Sequence, residues 1–256
     1  MIFQIKKYLS FLLRSTNQHG VHSPFVYDFV TKCLYDKTRY DDYNILNNYK
    51  NALLRDDFTL KITDFGSGSR VFKSNNRKVS DIAKHAGATH NRMKLLYRVV
   101  NYFEPKEILE LGTSLGLSTI SLALAKNTRV TSLEGCPETS AKANDSLIAA
   151  GVENVSILKG DFTESIHNLL DKKFDLIYFD GNHSKEATLA YFEKLLSTAT
   201  NDSVWIFDDI YWSEDMQQAW KCIQSHPKVQ VTLDCFWLGF VFFRKEQREE
   251  HFAIRL

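Results

Sequence analysis

Residues 107–116 read EILELGTSLG, a short apolar run that ends in a glycine-rich turn. The run predicts a buried strand, and the apolar spacing that follows predicts a helix over about 116–126. Gly112 would let the backbone turn sharply and approach a ligand, and Gly116 would let the helix begin close to that ligand. The stretch therefore predicts a strand, a ligand-binding turn and a helix in succession, which is the repeating unit of an α/β fold.

The chain after residue 106 repeats this alternation of strand-like and helix-like segments. Five apolar runs, EILELG, VTSLEG, VSILKG, FDLIYFDG and SVWIFDD, are separated by segments of helix length, and two last strands are expected over 229–235 and 238–245. Strands that alternate with helices of about 10–15 residues indicate βαβ units with helices on both faces of a sheet. We predict an α/β, Rossmann-like fold with a seven-stranded, mostly parallel sheet whose last strand is antiparallel.

Residues 1–104 follow a different pattern from the alternating part, 105–256. They are rich in aromatic residues and helix formers, and they predict several short helices and then helical patterning over about 81–103 that ends before Pro105. Before that helix, residues 64–80 read DFGSGSRVFKSNNRKVS and predict a basic loop. The sequence thus predicts an N-terminal helical extension, 1–104, joined to an α/β core, 105–256.

Charge is unevenly distributed along the chain, although the formal net charge is only +1. Residues 1–105 contain 17 basic and 9 acidic residues, and residues 106–256 contain 15 basic and 22 acidic residues. Such an asymmetry indicates either an anionic partner or two halves that compensate each other's charge when they pack. We favour the second interpretation.

The composition is that of an ordinary globular protein, with 44% hydrophobic and 25% charged residues. The four cysteines form no C-x-x-C pair, so neither a zinc site nor a disulfide framework is indicated. No stretch approaches the roughly 18 consecutive apolar residues of a membrane span. The N-terminal segment MIFQIKKYLSFLLRSTNQHG interrupts its apolar run too early for a signal peptide, and it predicts an amphipathic helix that docks on the body, with peripheral membrane contact left open. We therefore expect reduced thiols, no membrane span and a cytoplasmic location.

Glu134 ends the second apolar run, 22 positions after Gly112. In nucleotide-binding α/β folds a carboxylate at this spacing accepts hydrogen bonds from ribose hydroxyls. Dinucleotide-binding turns carry the pattern G-x-G-x-x-G, whereas this chain has Ser114 where the second glycine would stand. A turn without that glycine is less suited to a pyrophosphate. A nucleoside cofactor other than NAD is favoured, and an NAD-dependent oxidoreductase and a non-catalytic binding module are the alternatives.

The segment ILELGTSLGLSTISLALA followed by VTSLEG resembles the first two motifs of class I S-adenosylmethionine-dependent methyltransferases. Its E-L-G-x-x-x-G form is similar to the catechol and caffeoyl-coenzyme A O-methyltransferase branch. The resemblance implies N-terminal helices that cap the active site and S-adenosylmethionine as the cofactor. It also implies a cofactor pocket formed by Glu110, Gly112, Thr113, Ser114, Gly116, Glu134, Gly135, Asp161, Phe162 and Asp180. For Asp161 and Phe162 the alternative is a helix N-cap and a packed aromatic residue.

Three carboxylates follow two of the apolar runs, Asp180 after FDLIYF and Asp208-Asp209 after SVWIF. Because ligands bind outside the carboxyl ends of parallel strands, Glu134, Asp180 and Asp208 are expected on one rim. Carboxylates in such a group repel each other unless a cation neutralises them, and oxygen ligands suit Mg²⁺ or another divalent cation. The similar O-methyltransferases bind a metal with an aspartate and an Asp-Asn pair at these positions. The expected metal ligands are Asp180, Asp208 and Asp209, with Asp209 replacing the asparagine.

His183 stands three residues after Asp180, where the similar enzymes have a lysine that acts as general base. An imidazole can accept a proton near neutral pH, so His183 and Asp180 are the candidate catalytic residues. The alternative is that His183 caps the helix that follows or forms a hydrogen bond within the loop. No D/N-P-P-Y/F/W motif points to a nucleic-acid target. The resemblance therefore implies O-methylation of a small hydroxylated molecule with divalent-metal assistance, and it leaves the acceptor and a homodimer open.

Overall fold

The structure, a computed structural model, describes residues 2–63, 74–125 and 127–256. The chain divides into two compact units, of which the first is formed by Met1–Tyr35 with Ile166–Leu256 and the second by Asp36–Ser165. The helical extension 1–104 and the α/β core 105–256 that the sequence predicts stay a prediction. A role of residues 1–104 as a cap over the active site stays a prediction.

Ten helices and ten strands are assigned within the described residues, together with two short turns of other helix types. The first half of the chain contains α1 (Ile2–Arg14), a 3₁₀ turn (Gln18–Gly20), α2 (Pro24–Phe29), a π-helical turn (Val30–Leu34), α3 (Asp42–Leu54), β1 (Thr59–Lys61), β2 (Asn76–Lys78), α4 (Val79–His85), α5 (His90–Phe103), β3 (Glu107–Leu111) and α6 (Leu117–Ala123). The second half contains β4 (Arg129–Glu134), α7 (Pro137–Ala149), β5 (Val155–Lys159), α8 (Phe162–His167), β6 (Leu176–Phe179), α9 (Lys185–Leu195), β7 (Val204–Asp208), α10 (Glu214–Gln224), β8 (Val231–Asp234), β9 (Leu238–Phe242) and β10 (Glu250–Ala253).

Hydroxyl side chains fix where four of the helices begin. The residue before each helix accepts a hydrogen bond from the backbone N–H three residues further on, which satisfies a donor that the helix itself leaves unpaired. These N-caps are Ser23 for α2, Thr89 for α5, Ser184 for α9 and Ser213 for α10. The helix boundaries therefore follow from local sequence chemistry.

The helical patterning predicted over 81–103 is divided between two helices, α4 and α5. The backbone at Gly87 passes so close to Leu117 that a Cβ atom there would overlap the leucine side chain. Thr89 then caps a new helix, and α5 ends at Phe103. The glycine and the capping threonine interrupt a hydrophobic period that otherwise looks continuous.

The second unit contains a parallel sheet in the order β3-β4-β5. Leu111 at the end of β3 pairs with Leu133, and Glu134 at the end of β4 pairs with Lys159. This unit also contains an antiparallel hairpin in which Leu60 of β1 pairs with Arg77 of β2. The predicted basic loop over 64–80 is therefore partly a strand, while residues 64–73 lie outside the described residues.

The first unit contains five strands in the order β10-β8-β9-β7-β6. β6 and β7 are parallel, β9 is antiparallel to both β7 and β8, and β10 is parallel to β8. The antiparallel pair that the sequence predicts near the C-terminus is thus confirmed. The main sheet has eight strands, not the seven predicted. The strand predicted as the last one, 238–245, is β9 and is antiparallel as predicted, and β10 follows it as an additional strand. β10 was missed because its residues, EHFA, form a largely exposed edge strand without an apolar run.

Helices α1 and α2 belong to the first unit through specific contacts with its strands. The ring of Phe29 in α2 packs edge-on against Phe240 and Phe242 of β9, with centroid distances of 5.2 and 5.7 Å. Arg14 at the end of α1 forms an ion pair of 2.5 Å with Asp234 at the end of β8. None of the described helices is long and apolar enough to cross a membrane.

Candidate functional site

The glycine-rich turn lies directly after β3 and has the strained backbone that its sequence predicts. Gly112, Ser114 and Gly116 have φ angles of 105°, 48° and 77°. The backbone N–H of Gly112 donates to the carbonyl oxygen of Leu133, and that of Ser114 donates to the Glu134 carboxylate at 2.7 Å. Positive φ angles favour glycine, so the two glycines permit a turn that most side chains would resist.

Glu134 is held beside this turn by two backbone donors. One carboxylate oxygen accepts from Ser114, and the other accepts from the N–H of Cys136 at 2.8 Å, which lies one residue beyond Gly135. Each carboxylate oxygen retains a further acceptor position after one such bond. Glu134 is therefore oriented by the turn and can still accept hydrogen bonds from the hydroxyls of a ligand.

Glu110 is fully buried behind the turn. One of its oxygens accepts hydrogen bonds from the hydroxyls of Thr119 at 2.6 Å and Ser132 at 2.5 Å, while the other has no partner. Burial raises the pKa of Glu110 to about 7, the two hydroxyls oppose the shift, and the charge of Glu134 adds to it. These contacts are with the protein, so Glu110 braces the turn, and its place in the cofactor pocket stays a prediction.

Thr113 belongs to the same hydrogen-bonded group. Its hydroxyl lies 2.5 Å from the hydroxyl of Ser132, which in turn donates to Glu110. Both hydroxyls are buried, and they connect the turn to the middle of β4. The predicted pocket residues Glu110 and Thr113 are thus joined through Ser132.

Tyr49 supports the turn from α3, and sequence reasoning missed it. Its hydroxyl donates a hydrogen bond of 2.8 Å to the carbonyl oxygen of Leu115. A Cβ atom on Gly116 would stand 2.6 Å from the same hydroxyl oxygen. No local pattern could have revealed this contact, because Tyr49 precedes the turn by more than sixty residues.

Asp161 and Phe162 follow β5 and Gly160, whose φ is 140°. The Asp161 carboxylate accepts hydrogen bonds from the backbone N–H groups of Thr163 at 2.8 Å and Glu164 at 3.3 Å. Asp161 therefore caps the start of α8, which is the alternative that the sequence left open. Contact of Asp161 or Phe162 with an adenine ring stays a prediction.

In the first unit, Asp208 ends β7 and is almost completely buried. One of its oxygens accepts a hydrogen bond of 2.9 Å from the Tyr178 hydroxyl, and the other accepts one of 2.8 Å from the backbone N–H of Asp209. Asp209 has a φ of 51° and is half-buried, as is Asp180 after β6. Asp208 thus serves as an internal acceptor at the end of its strand.

The three carboxylates do not fit a preformed cation site. Within 2–63, 74–125 and 127–256, no group of three or more His, Cys, Asp or Glu side chains is arranged to hold a metal ion. Both oxygens of Asp208 are engaged by Tyr178 and Asp209. The metal site of Asp180, Asp208 and Asp209 therefore stays a prediction, and no chemical step is assigned to it below.

His183 lies in the loop that leads from β6 into α9. Ser184, not His183, is the N-cap of α9, and its hydroxyl accepts a hydrogen bond of 3.3 Å from the N–H of Ala187. The alternative in which His183 caps the helix is therefore wrong. The half-buried His183 ring lies beside Trp212, with a centroid distance of 6.3 Å and an angle of 45°. This places an imidazole next to a flat aromatic surface.

Comparison with protein families matches residues 109–210 to a methyltransferase domain. The matched range contains the turn from Gly112 to Gly116, as well as Glu134, Asp180 and His183. The resemblance to class I S-adenosylmethionine-dependent methyltransferases that the sequence motifs indicate is thereby confirmed.

Two curated relatives each match about half of this chain. A catechol O-methyltransferase of Mycobacterium tuberculosis is 30% identical over 120 residues, 46% of this chain and 54% of the relative. A catechol O-methyltransferase of Niastella koreensis is 31% identical over 126 residues, 47% of this chain and 56% of the relative. The chain thus spans about half the length of the curated relatives that it matches.

Solved structures confirm the predicted Rossmann-like fold. An SAH-bound methyltransferase of Podospora anserina aligns with a TM-score of 0.61 at 15% identity, over 88% of this chain and 97% of that one. An O-methyltransferase of Bacillus cereus in complex with SAH aligns with a TM-score of 0.53 at 20% identity, over 83% and 98%. At this level of identity the likeness concerns the fold alone.

Proposed function

We propose that this chain is an S-adenosylmethionine-dependent methyltransferase that methylates a hydroxyl group of a small molecule. The observation that carries the proposal is the turn from Gly112 to Gly116, which lies inside the matched methyltransferase domain with Glu134 fixed beside it. The names of both curated relatives, catechol O-methyltransferases, support a hydroxyl as the acceptor.

The residues around the turn fit the chemistry of S-adenosylmethionine. Glu134 would accept hydrogen bonds from the ribose hydroxyls, since both of its oxygens retain acceptor positions. Gly112, Ser114 and Gly116 would let the backbone approach the methionine part, with Glu110 and Thr113 bracing the turn. When bound, S-adenosylmethionine supplies a methyl group on a positively charged sulfur atom.

His183 would accept the proton of the acceptor hydroxyl. Methyl transfer breaks the bond from sulfur to the methyl carbon and forms a bond from the acceptor oxygen to that carbon, so the hydroxyl proton must leave. An imidazole accepts such a proton near neutral pH. Trp212, beside His183, would form a flat wall against an aromatic acceptor such as a catechol. The transfer itself depends mainly on alignment of donor and acceptor.

Cytoplasmic activity is a further part of this proposal. The four cysteines are free in the structure, as they would be in a reducing compartment. A homodimer, which the sequence leaves open, would need a self-complementary surface on each copy.

Isothermal titration with S-adenosylmethionine and with NAD⁺ tests the cofactor assignment. We expect one saturable site for S-adenosylmethionine and none for NAD⁺. Glu134→Ala should weaken S-adenosylmethionine binding by about 1–3 kcal/mol, the loss expected for hydrogen bonds to a charged acceptor. The matched control is Glu153→Ala, an exposed glutamate at the opposite end of a neighbouring strand, which should bind normally. Equal affinity of the two variants would overturn the assignment.

A further inference from the structure

Helix α1 presents an apolar stripe to solvent. Ile2, Ile5, Leu9 and Leu13 recur at spacings of three or four residues, which places them on one side of the helix. Their side chains are 73%, 55%, 57% and 91% exposed, and we call these four residues the α1 stripe. A contiguous exposed apolar surface marks an interaction site more often than scattered single residues do.

The opposite side of α1 is anchored, so the stripe cannot turn inward. Phe11 is buried and packs against Phe236 at a centroid distance of 5.5 Å. Arg14 donates hydrogen bonds of 2.5 Å to Asp234 and to the Tyr211 hydroxyl. The helix thus docks on its unit as the sequence predicts, but one apolar side stays outside.

Positive charge surrounds the α1 stripe. The first 27 residues contain Lys6, Lys7 and Arg14 and no acidic residue, since the first one is Asp28. Lys6 is exposed and next to Ile5 in the chain. An apolar stripe bordered by basic residues is the pattern of helices that lie in the interface of a membrane.

A groove between α1 and α10 supplies a second, independent observation. Its cavity volume is about 270 Å³, and the residues that line it are Lys7, Ser10, Arg14, Tyr211, Gln217, Trp220, Lys221 and Gln224. No carboxylate belongs to this lining. The indole N–H of Trp220 is buried in the structure without a hydrogen-bond acceptor. Asp234 neutralises Arg14, whereas the ammonium groups of Lys7 and Lys221 suit the oxygens of an anion.

We propose that α1 docks the protein on an anionic phospholipid surface. The α1 stripe enters the boundary between headgroups and acyl chains, while Lys7 and Lys221 bind lipid phosphate groups along the groove. Burial of the four apolar side chains supplies the hydrophobic part of the binding free energy. The lysine charges add electrostatic attraction to an anionic leaflet. This inference concerns location and does not depend on methyl transfer.

Charge and size favour a lipid surface over a second copy of the chain. A symmetric dimer would place the same patch on both sides, so Lys6, Lys7 and Arg14 would face their own copies across the interface. A standard protein interface also uses about 20–30 residues a side, whereas the α1 stripe has four apolar residues. A lipid surface requires neither self-complementarity nor an extended patch.

Co-sedimentation with vesicles tests the proposal. The full chain should bind vesicles of phosphatidylcholine mixed with phosphatidylglycerol, bind pure phosphatidylcholine weakly, and dissociate as salt is raised. The double variant Leu9→Gln/Leu13→Gln should lose about tenfold in affinity for each side chain. The double variant Lys7→Gln/Lys221→Gln should lose about fivefold in affinity for the anionic vesicles for each charge removed. The matched control is Ile148→Gln on α7, an equally exposed isoleucine of the other unit, which should bind like the unmodified chain.

Three outcomes would overturn the docking proposal. The first is equal vesicle binding by the Leu9→Gln/Leu13→Gln variant and the Ile148→Gln control, with both folded by circular dichroism. The second is a dimer in sedimentation velocity that becomes a monomer in the Leu9→Gln/Leu13→Gln variant. The third is binding of inorganic phosphate by the groove without binding of anionic vesicles.

Discussion

The hydroxyl oxygen of Tyr49 lies 2.6 Å from the position that a Cβ atom on Gly116 would occupy. The same hydroxyl donates to the carbonyl oxygen of Leu115, and burial raises the pKa of Tyr49 above its ordinary value, so it remains a donor. α3 therefore fixes the turn from a distant part of the sequence. Gly116 is required both for its backbone conformation and for this contact.

Substitution of Gly116 by alanine should destabilise the protein by more than backbone strain alone. The positive φ costs an alanine roughly 1–2 kcal/mol, and the overlap with Tyr49 adds to that cost. The control is Gly151→Ala, because Gly151 has a φ of 76° but no atom within 4 Å of the added Cβ. Urea unfolding should show a larger loss for Gly116→Ala, and Tyr49→Phe should restore part of it. Equal losses at both glycines would contradict the role of Tyr49.

The pH dependence of stability should reflect the raised pKa of Glu110. An unfolded chain loses this proton near the ordinary value of 4.5, whereas the folded protein keeps it up to about 7. Between these values the folded state binds more protons, so stability falls as pH rises through the window and levels off above it. The shift corresponds to about 3 kcal/mol.

Glu110→Gln isolates this effect because glutamine does not titrate. The stability of the variant relative to the unmodified chain should rise between pH 5 and pH 7.5, by up to about 3 kcal/mol. Urea unfolding at the two pH values provides the measurement. If the stabilities of the variant and the unmodified chain changed with pH in parallel, Glu110 would not be the group that causes the pH dependence.

His183→Ala should lower turnover and leave cofactor binding nearly unchanged. Removal of a general base typically costs about 10²–10⁴-fold in rate. The control is His167→Ala, an exposed histidine at the end of α8, which should retain full turnover. Steady-state rates and titration with S-adenosylmethionine separate the two effects. A fully active His183 variant would remove this residue from the mechanism.

Turnover should persist in excess chelator. Among the described residues, no group of three or more His, Cys, Asp or Glu side chains is arranged around a cation position. Assays with EDTA, then with added Mg²⁺, provide the test. Loss of activity that Mg²⁺ restores would show that Asp180, Asp208 and Asp209 hold a metal after all.

The strand and helix order of the α/β part could be predicted from its sequence because the signals are local. The apolar run 107–111 and the glycine turn after it predict a strand and a helix from these residues alone. The edge strand Glu250–Ala253 has no such signal, since an exposed strand carries no apolar run. The break at Gly87 was also missed, because hydrophobic periodicity continues through it.

The candidate site was predictable in its residue types but not in their partners. Spacing alone connects Gly112 with Glu134, and the structure places a hydrogen bond from the turn on that carboxylate. Tyr49 bonds to the turn and Tyr178 bonds to Asp208, but both tyrosines come from other elements. Only tertiary packing brings each tyrosine into contact with its partner. The three predicted metal ligands were inferred from strand ends, which do not determine where their carboxylate oxygens bond.

Transfer of a labelled methyl group tests the central claim most directly. The unmodified chain is incubated with methyl-labelled S-adenosylmethionine and a panel of catechols, other phenols and sugars, with Glu134→Ala as the blank. The account predicts a labelled O-methyl product from at least one hydroxylated acceptor, formed in equal amount to S-adenosylhomocysteine. Normal binding of S-adenosylmethionine without transfer to any acceptor of the panel would contradict it and favour a non-catalytic binding module.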